Sequence, residues 1–164
     1  MINFPALSDP RKPFVYLDFD GVLNSANYFK NNIKNPDLSR DENQIDPQAV
    51  EFLNEIADWN FVLSSTWRKF KTLEQINVLL ASRGFKGKII AATPELSHPC
   101  LRGNEIYAWM QENIPDASDF TNYIVLDDDS DLLYWQRNNF IQVDGYWGIG
   151  PNHIYRAKRL LKMN

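Results

Sequence analysis

Asp18 and Asp20 stand one residue apart at the end of a short apolar run, Val15-Tyr16-Leu17, and Gly21 follows at once. If an extended strand continues through the pair, both carboxylates point to one face. Carboxylates so placed repel each other unless a cation lies between them, and hard oxygen donors select Mg²⁺ before any softer metal. Gly21 lets the backbone fold sharply away. Two more apolar runs end in chemistry-bearing side chains, Ser64-Ser65-Thr66-Trp67-Arg68 and Asp127-Asp128-Asp129-Ser130-Asp131. A plain exposed turn has no need of so much unneutralised charge as the second of these carries.

The elements that must position these residues are legible in order. Phe14 to Asp18, Asn60 to Ser64, Lys88 to Ala92, Tyr123 to Leu126 and Phe140 to Val143 read as five short strands. Residues 1–13 carry three prolines and read as an extended arm. Ser25 to Gln44 is polar, aperiodic and rich in asparagine, and reads as a loop or small helical insertion rather than a second domain. Asp46-Pro47 has the form of an N-cap followed by proline in the first helical turn, with Val50, Leu53, Ile56 and Ala57 as its apolar stripe. Thr72 and Gln75 have capping-box spacing before Leu73, Ile76, Leu79 and Leu80, and Gly84 supplies the stop. Helices are also expected over Asn104 to Asn113 and from Pro151, with a short one between the fourth and fifth strands. Strand and helix alternate throughout, which predicts a single α/β domain with a parallel sheet of about five strands and helices on both faces. Ligands bind such sheets at the carboxyl ends of the strands. The three polar clusters all fall there.

At 164 residues the chain is long enough for one full core and too short for two. Apolar content of 44% and aromatic content of 13% are globular values, and no run approaches the ~20 apolar residues of a membrane span. The N-terminus has no signal-peptide core, and a single cysteine, Cys100, excludes an intrachain disulfide and suits a reducing cytoplasm. A net charge of −4 gives no global attraction for polyanions, though it leaves room for a local basic patch.

Leu17-Asp18-Phe19-Asp20-Gly21-Val22 resembles the first motif of the haloacid dehalogenase (HAD) superfamily, most of whose members are Mg²⁺-dependent phosphatases with an aspartate nucleophile. Leu63-Ser64-Ser65-Thr66-Trp67-Arg68, Arg102-Gly103-Asn104-Glu105-Ile106-Tyr107-Ala108-Trp109-Met110, Val125-Leu126-Asp127-Asp128-Asp129-Ser130-Asp131 and Val143-Asp144-Gly145-Tyr146-Trp147-Gly148-Ile149 extend the resemblance. They are similar to small HAD domains of bacteria and phages, related to those of nucleic-acid repair proteins. The resemblance implies a Rossmann-like HAD fold with minimal or no cap. It implies that Asp18 is the nucleophile, and that Asp20 protonates the leaving oxygen and then activates water. It places Mg²⁺ among Asp18, Asp20 and Asp128, with Asp127 in support, and Asp131 as an outer-shell group or an N-cap. Ser64 fills the second motif's hydroxyl position, with Ser65 and Thr66 as alternatives. Arg102 stands where the family usually has a lysine, with Arg68, Lys69 and Lys71 as alternatives. Substrate contacts fall to Gly21, Ser65 and Arg68.

The gaps between strands are too short for a folded cap, since independent domains need at least ~50 residues. By resemblance such open sites accept bulky substrates, here a phosphomonoester such as a nucleotide or polynucleotide end. Trp67, Arg68, Tyr146 and Trp147 could stack on a base, although each also suits core packing or loop anchoring. His98 and His153 lack metal-site spacing, and the basic face of the last helix, Arg156, Lys158, Arg159 and Lys162, reads as a solvated surface. No feature requires a membrane or an obligate protein partner. The expected activity is therefore a Mg²⁺-dependent phosphatase acting through an aspartyl phosphate. The alternative is a HAD-fold phosphate-binding module that has lost turnover and serves a partner.

Overall fold

The computed structural model describes residues 9, 11–97 and 99–162, so most of the arm expected over residues 1–13, and His98, fall outside the described residues. Five strands form one parallel sheet in the order β3-β2-β1-β4-β5. They are β1 (Phe14–Leu17), β2 (Asn60–Leu63), β3 (Ile89–Ala92), β4 (Tyr123–Asp127) and β5 (Phe140–Gln142). Each is apolar for most of its length because a parallel strand between helices is covered on both faces.

Side-chain parity then divides the residues of the three central strands between two cores. Val15, Leu17, Phe61, Leu63, Ile124 and Leu126 face one way. There they meet α3 (Pro47–Leu53), α4 (Leu73–Ser82) and α6 (Pro151–Leu160) through Val50, Leu53, Ile76, Leu80, Ile154 and Ala157. Phe14, Tyr16, Val62, Tyr123 and Val125 face the other way, onto Ile106, Trp109 and Met110 of α5 (Arg102–Asn113). Trp109 packs its ring at 5.7 Å from both Phe14 and Tyr16.

Helix starts follow the sequence signals. The Asp46 carboxylate accepts the Gln48 N–H at 2.8 Å. Thr72 and Gln75 form the reciprocal capping box, and Gly84 adopts the left-handed conformation just past α4. The insertion after β1 consists of α1 (Ala26–Asn32), a 3₁₀ turn at Pro36–Ser39 and the one-turn α2 (Asp41–Gln44). It is tied down at its start, where Ala26 and Asn27 N–H groups reach the Gly145 and Tyr146 carbonyls, and at its end, where Arg83 Nε reaches the Ile45 carbonyl.

β2 to β5 each differ from expectation by one residue at one end, and two further boundaries bear on the site. β1 stops at Leu17, and the chain turns immediately because the Phe19 carbonyl accepts both the Val22 and Leu23 N–H groups. α5 begins at Arg102, two residues earlier than its apolar stripe suggests, because Asp131 holds that end from outside the helix. The segment between β4 and β5 is a 3₁₀ helix, Tyr134–Asn139.

Leu63 is fully buried at the β2 register position opposite Leu17, so Leu63→Ala should cost about 2–5 kcal/mol. Loss of the Asp46 cap in Asp46→Ala should cost about 1 kcal/mol. Urea unfolding checks both, with unchanged m-values expected.

Candidate active site

The register of the sheet builds the site. Leu17 pairs with Leu63 on one side and with Leu126 on the other. The next residues, Asp18, Ser64 and Asp127, therefore share one level at the carboxyl ends of the three central strands. Backbone bonds fix the row, with Asp18 N–H on the Leu126 carbonyl at 2.9 Å and Ser64 N–H on the Leu17 carbonyl at 2.8 Å. All three have the parity of the α5 face, and the first turn of α5 brings Arg102 to them.

Among the described residues, Asp18, Asp127 and Asp128 offer carboxylate oxygens that all lie within 4.8 Å of one another. Asp18 and Asp127 are buried and Asp128 is half-buried. Burial pushes the Asp18 carboxyl up to about 6, against the opposing pull of Arg102 and Ser65. Burial and the nearby Asp18 charge push Asp127 up to about 8. Asp128 is also raised, chiefly by burial.

Asp128 sits in a cradle of two glycines. A Cβ on Gly21 would come within 2.3 Å of its Oδ2, and one on Gly145 within 2.6 Å. Gly21 also has φ +74, a conformation that side chains other than glycine rarely adopt. The turn after the Asp-x-Asp pair thus needs glycine both for its backbone and for the carboxylate behind it.

The Arg102 guanidinium faces this cluster, with Nη2 4.0 Å from Asp18 Oδ1 and Nε 3.6 Å from Asp127 Oδ2. Its backbone N–H donates to Asp131 Oδ2 at 2.9 Å, so Asp131 caps α5 across the loop, instead of the short helix that follows it. Asp127 Oδ1 accepts the Asp129 N–H at 3.0 Å, while its Oδ2 is buried without a hydrogen-bond partner.

Asp20 lies apart from the three. β1 ends at Leu17, and the Asp20 carboxylate is exposed beside the loop after β2, with its charge still acting on Asp18 and Asp128. Its Oδ1 accepts from Asn24 Nδ2 at 2.7 Å and Trp67 Nε1 at 3.0 Å, and Thr66 Oγ1 approaches Oδ2 at 3.5 Å. Asn24 is itself fixed by the Gly21 N–H on its Oδ1 at 3.0 Å.

Ser64 and Ser65 are both fully buried, and neither hydroxyl is in a well-formed hydrogen bond. It is the Ser65 hydroxyl that stands near enough to Asp18 to oppose the rise in its pKa.

Arg68 does not turn toward the carboxylates. Its guanidinium donates to the Ser65 carbonyl at 2.6 Å and to Glu105 Oε2 at 2.7 Å. Lys69 pairs with Glu95 and Lys71 with Asp41. Of the four cations considered from the sequence, Arg102 is the one at the cluster.

Glu105, unremarked in the sequence beyond its place at a helix start, is buried between two arginines. Its Oε2 lies 3.7 Å from Arg102 Nη1 as well as against Arg68, and the Arg68, Arg102 and Glu105 side chains are only 8%, 16% and 12% exposed. The available signal was its i,i+3 spacing from Arg102 on the inward face of α5. His153 accepts the Gly150 N–H on Nδ1 at 2.9 Å, a structural contact at the start of α6.

The sequence matches the family model for the HAD domain in Swiss Army Knife RNA repair proteins over residues 14–154. The chain belongs to this HAD family. No curated protein and no solved structure matches it. The family is one of HAD-type hydrolase domains, which typically use Mg²⁺, and the acidic group here is compatible with that ion. The donors are hard carboxylate oxygens, one buried oxygen lacks a hydrogen bond, and among the described residues Arg102 is paired with two of the three carboxylates.

A carboxyl whose pKa is raised on folding binds a proton in the folded state that the unfolded chain, at 3.8, has released. Without metal, stability from this HAD cluster is therefore greatest at acid pH and falls as pH rises through about 6 and about 8. Mg²⁺ competes with those protons, so its stabilising effect should be small near pH 5 and grow to a plateau above about pH 8. Thermal melts with and without Mg²⁺ across this range check it. A Mg²⁺ shift independent of pH would place binding elsewhere.

Proposed function

We propose that this HAD domain is a Mg²⁺-dependent phosphohydrolase of phosphomonoesters that works through an aspartyl-phosphate intermediate. The observation that carries this reading is the meeting of Asp18, Asp127 and Asp128 with the counter-cation Arg102 at the strand ends, while Asp20 is held on the open side by Asn24 and Trp67.

In the first step an Asp18 carboxylate oxygen attacks phosphorus in line with the ester oxygen. The P–O bond to the alcohol breaks, and the leaving oxygen keeps the bonding pair and takes the proton of Asp20. In the second step the Asp20 carboxylate accepts a proton from water as the water oxygen attacks phosphorus. The Asp18–phosphorus bond breaks, and inorganic phosphate and the Asp18 carboxylate are released. When held by Asp18 and Asp128, with Asp127 beside them, Mg²⁺ supplies charge that offsets the phosphoryl oxygens.

Arg102 provides a second, permanent positive charge and a planar donor fork for those oxygens. The Ser65 hydroxyl opposes the rise in the Asp18 pKa, which supports it, with Ser64 as the alternative, as the group that holds a phosphoryl oxygen. Glu105 keeps Arg102 in place. Asp20 is linked to Trp67 and Asn24 on its Oδ1, which aims the carboxyl at the leaving-group side.

The RNA repair setting named for the family supports nucleotides or nucleic-acid ends as the substrate class. The single cysteine supports a reducing, cytoplasmic setting. Among the described residues, no helix is long and apolar enough to cross a membrane.

Phosphate release from a panel of phosphomonoesters tests the reading. Asp18→Asn should abolish Mg²⁺-dependent release, and Asp20→Asn should lower kcat by about 10²–10⁴. If Asp18→Asn keeps the parent rate, the nucleophile assignment is wrong. If the parent protein binds a phosphate analogue with Mg²⁺ yet releases nothing from any substrate, the chain is a binding module.

A further inference from the structure

A cavity of about 330 Å³ opens beside Asp20, between α2 and the loop after β2. Asp41 and Gln44 form one wall, and Thr66, Trp67, Phe70 and Lys71 the other. Its position follows from the proposed chemistry. Asp20 is the group that meets the leaving oxygen, so the space beyond its carboxyl is where the alcohol portion of a substrate must lie.

Three features narrow the occupant. Phe70 stands on the cavity rim 81% exposed, a large apolar ring that the core does not use. Trp67 is fixed in orientation by its bond to Asp20 and by its ring contact with Phe19, centroids 5.4 Å apart. The cavity therefore offers one adjustable and one fixed aromatic surface. Lys71, the one cation lining it among the described residues, is paired with Asp41 and lies 5.9 Å above the Trp67 ring. With Asp20 and Asp41 against that one lysine, the lining is net negative and disfavours a second phosphate. The Gln44 amide adds a donor and an acceptor at the wall.

A larger cavity of about 570 Å³ shares the Lys71–Asp41 pair, and its charged lining sets Asp41, Glu42 and Glu74 against Lys71, a net negative surface that disfavours a phosphodiester backbone. The occupant is flat, neutral, of nucleoside size and capable of hydrogen bonding at its edge.

We propose that this cavity is the leaving-group subsite and that it takes a nucleoside, its base on Phe70 and its phosphate-bearing oxygen at Asp20. The proposal rests on the phosphohydrolase reading for the direction of the leaving group, and it adds the chemical class and the residues that select it. The same nucleoside could belong to a free mononucleotide or to the phosphorylated end of a single strand. In the second case the rest of the strand leaves past Phe70 into solvent.

The test separates the subsite from the chemistry. Adenosine, which has no phosphate, is titrated into the parent protein, Phe70→Ala, Phe70→Trp and Gln44→Ala, and chemical-shift changes are followed. Base stacking on an aromatic ring is worth about 1–3 kcal/mol, so Phe70→Ala should weaken adenosine about 5- to 150-fold and Phe70→Trp should retain it. Because Phe70 is exposed, the variant's own spectrum verifies that it folds. Tyr155→Ala, on the exposed face of α6, is the control and should bind adenosine as the parent does.

In turnover, the ratio of kcat/KM for adenosine 5′-monophosphate over glycerol phosphate should fall at least about fivefold in Phe70→Ala. Adding a 5′-phosphorylated single-stranded oligoribonucleotide as a third substrate assigns the source. Adenosine affinity within twofold of the parent in Phe70→Ala overturns the subsite, as does an equal loss on nucleotide and glycerol phosphate. Phe70-dependent adenosine binding with no phosphate release from any substrate leaves the subsite standing and overturns the phosphohydrolase reading instead.

Discussion

The site depends on the parallel register of β1 between β2 and β4. Leu17 opposite both Leu63 and Leu126 is a packing constraint, because a one-residue slip would turn the apolar side chains of Val15 and Leu17 away from the core they share with α3, α4 and α6. The same register sets Asp18, Ser64 and Asp127 in a row with common parity. The hydrophobic pattern therefore positions charged and hydroxyl groups that make no hydrophobic contribution of their own. It also forces burial on them, since the row lies at the edge of the core and beneath α5.

Burial of three carboxylates is costly unless opposite charge is near. Arg102 supplies part of that charge, and its own placement needs three supports: Asp131 at its backbone N–H, Glu105 beside its guanidinium, and the Asp18 and Asp127 carboxylates. Glu105 in turn binds Arg68, whose other donor holds the Ser65 carbonyl. Charges alternate along this path from the turn after β2 to the cluster. Burial, with the remaining negative charge at Asp18, Asp127 and Asp128 added to it, raises the carboxyl pKa values, and that charge is what a divalent cation would offset.

Much of this was readable from residue types. The five strands, the Asp46 and Thr72 caps and the polar strand ends follow from periodicity and local hydrogen-bonding chemistry, which act over a few residues. What was not readable depended on contacts distant in sequence. Asp20 is not one of the three carboxylates that gather within 4.8 Å, because β1 ends at Leu17 and the Phe19 carbonyl closes a tight turn. The cap of α5 comes from Asp131, 29 residues away, and no local signal marks the helix as starting at Arg102. Arg68 looked like a phosphate contact because it neighbours the serines, and its burial against Glu105 appears only once α5 is packed. Ser64 follows the apolar run directly and Ser65 comes next; both are fully buried at the end of β2, and strand boundaries read from sequence do not choose between them.

The two sides of the proposed reaction are built to different standards of order. On the phosphoryl side Asp18, Asp127, Ser64 and Ser65 are buried, and Asp128 is packed so closely that Gly21 and Gly145 have no room for a Cβ. On the leaving-group side Asp20 is solvent-facing, Phe70 is exposed, and the wall opposite is the one-turn α2. That wall is anchored by Lys71 on Asp41 and by the Arg83 contacts to Ile45 and Tyr28. Phosphoryl chemistry tolerates little displacement of its groups. An alcohol leaving group sets no such geometric demand beyond its oxygen, so sequence change can alter the leaving-group wall without disturbing the carboxylates. A short insertion pinned at both ends is enough to shape that wall, and a folded cap is not required for it.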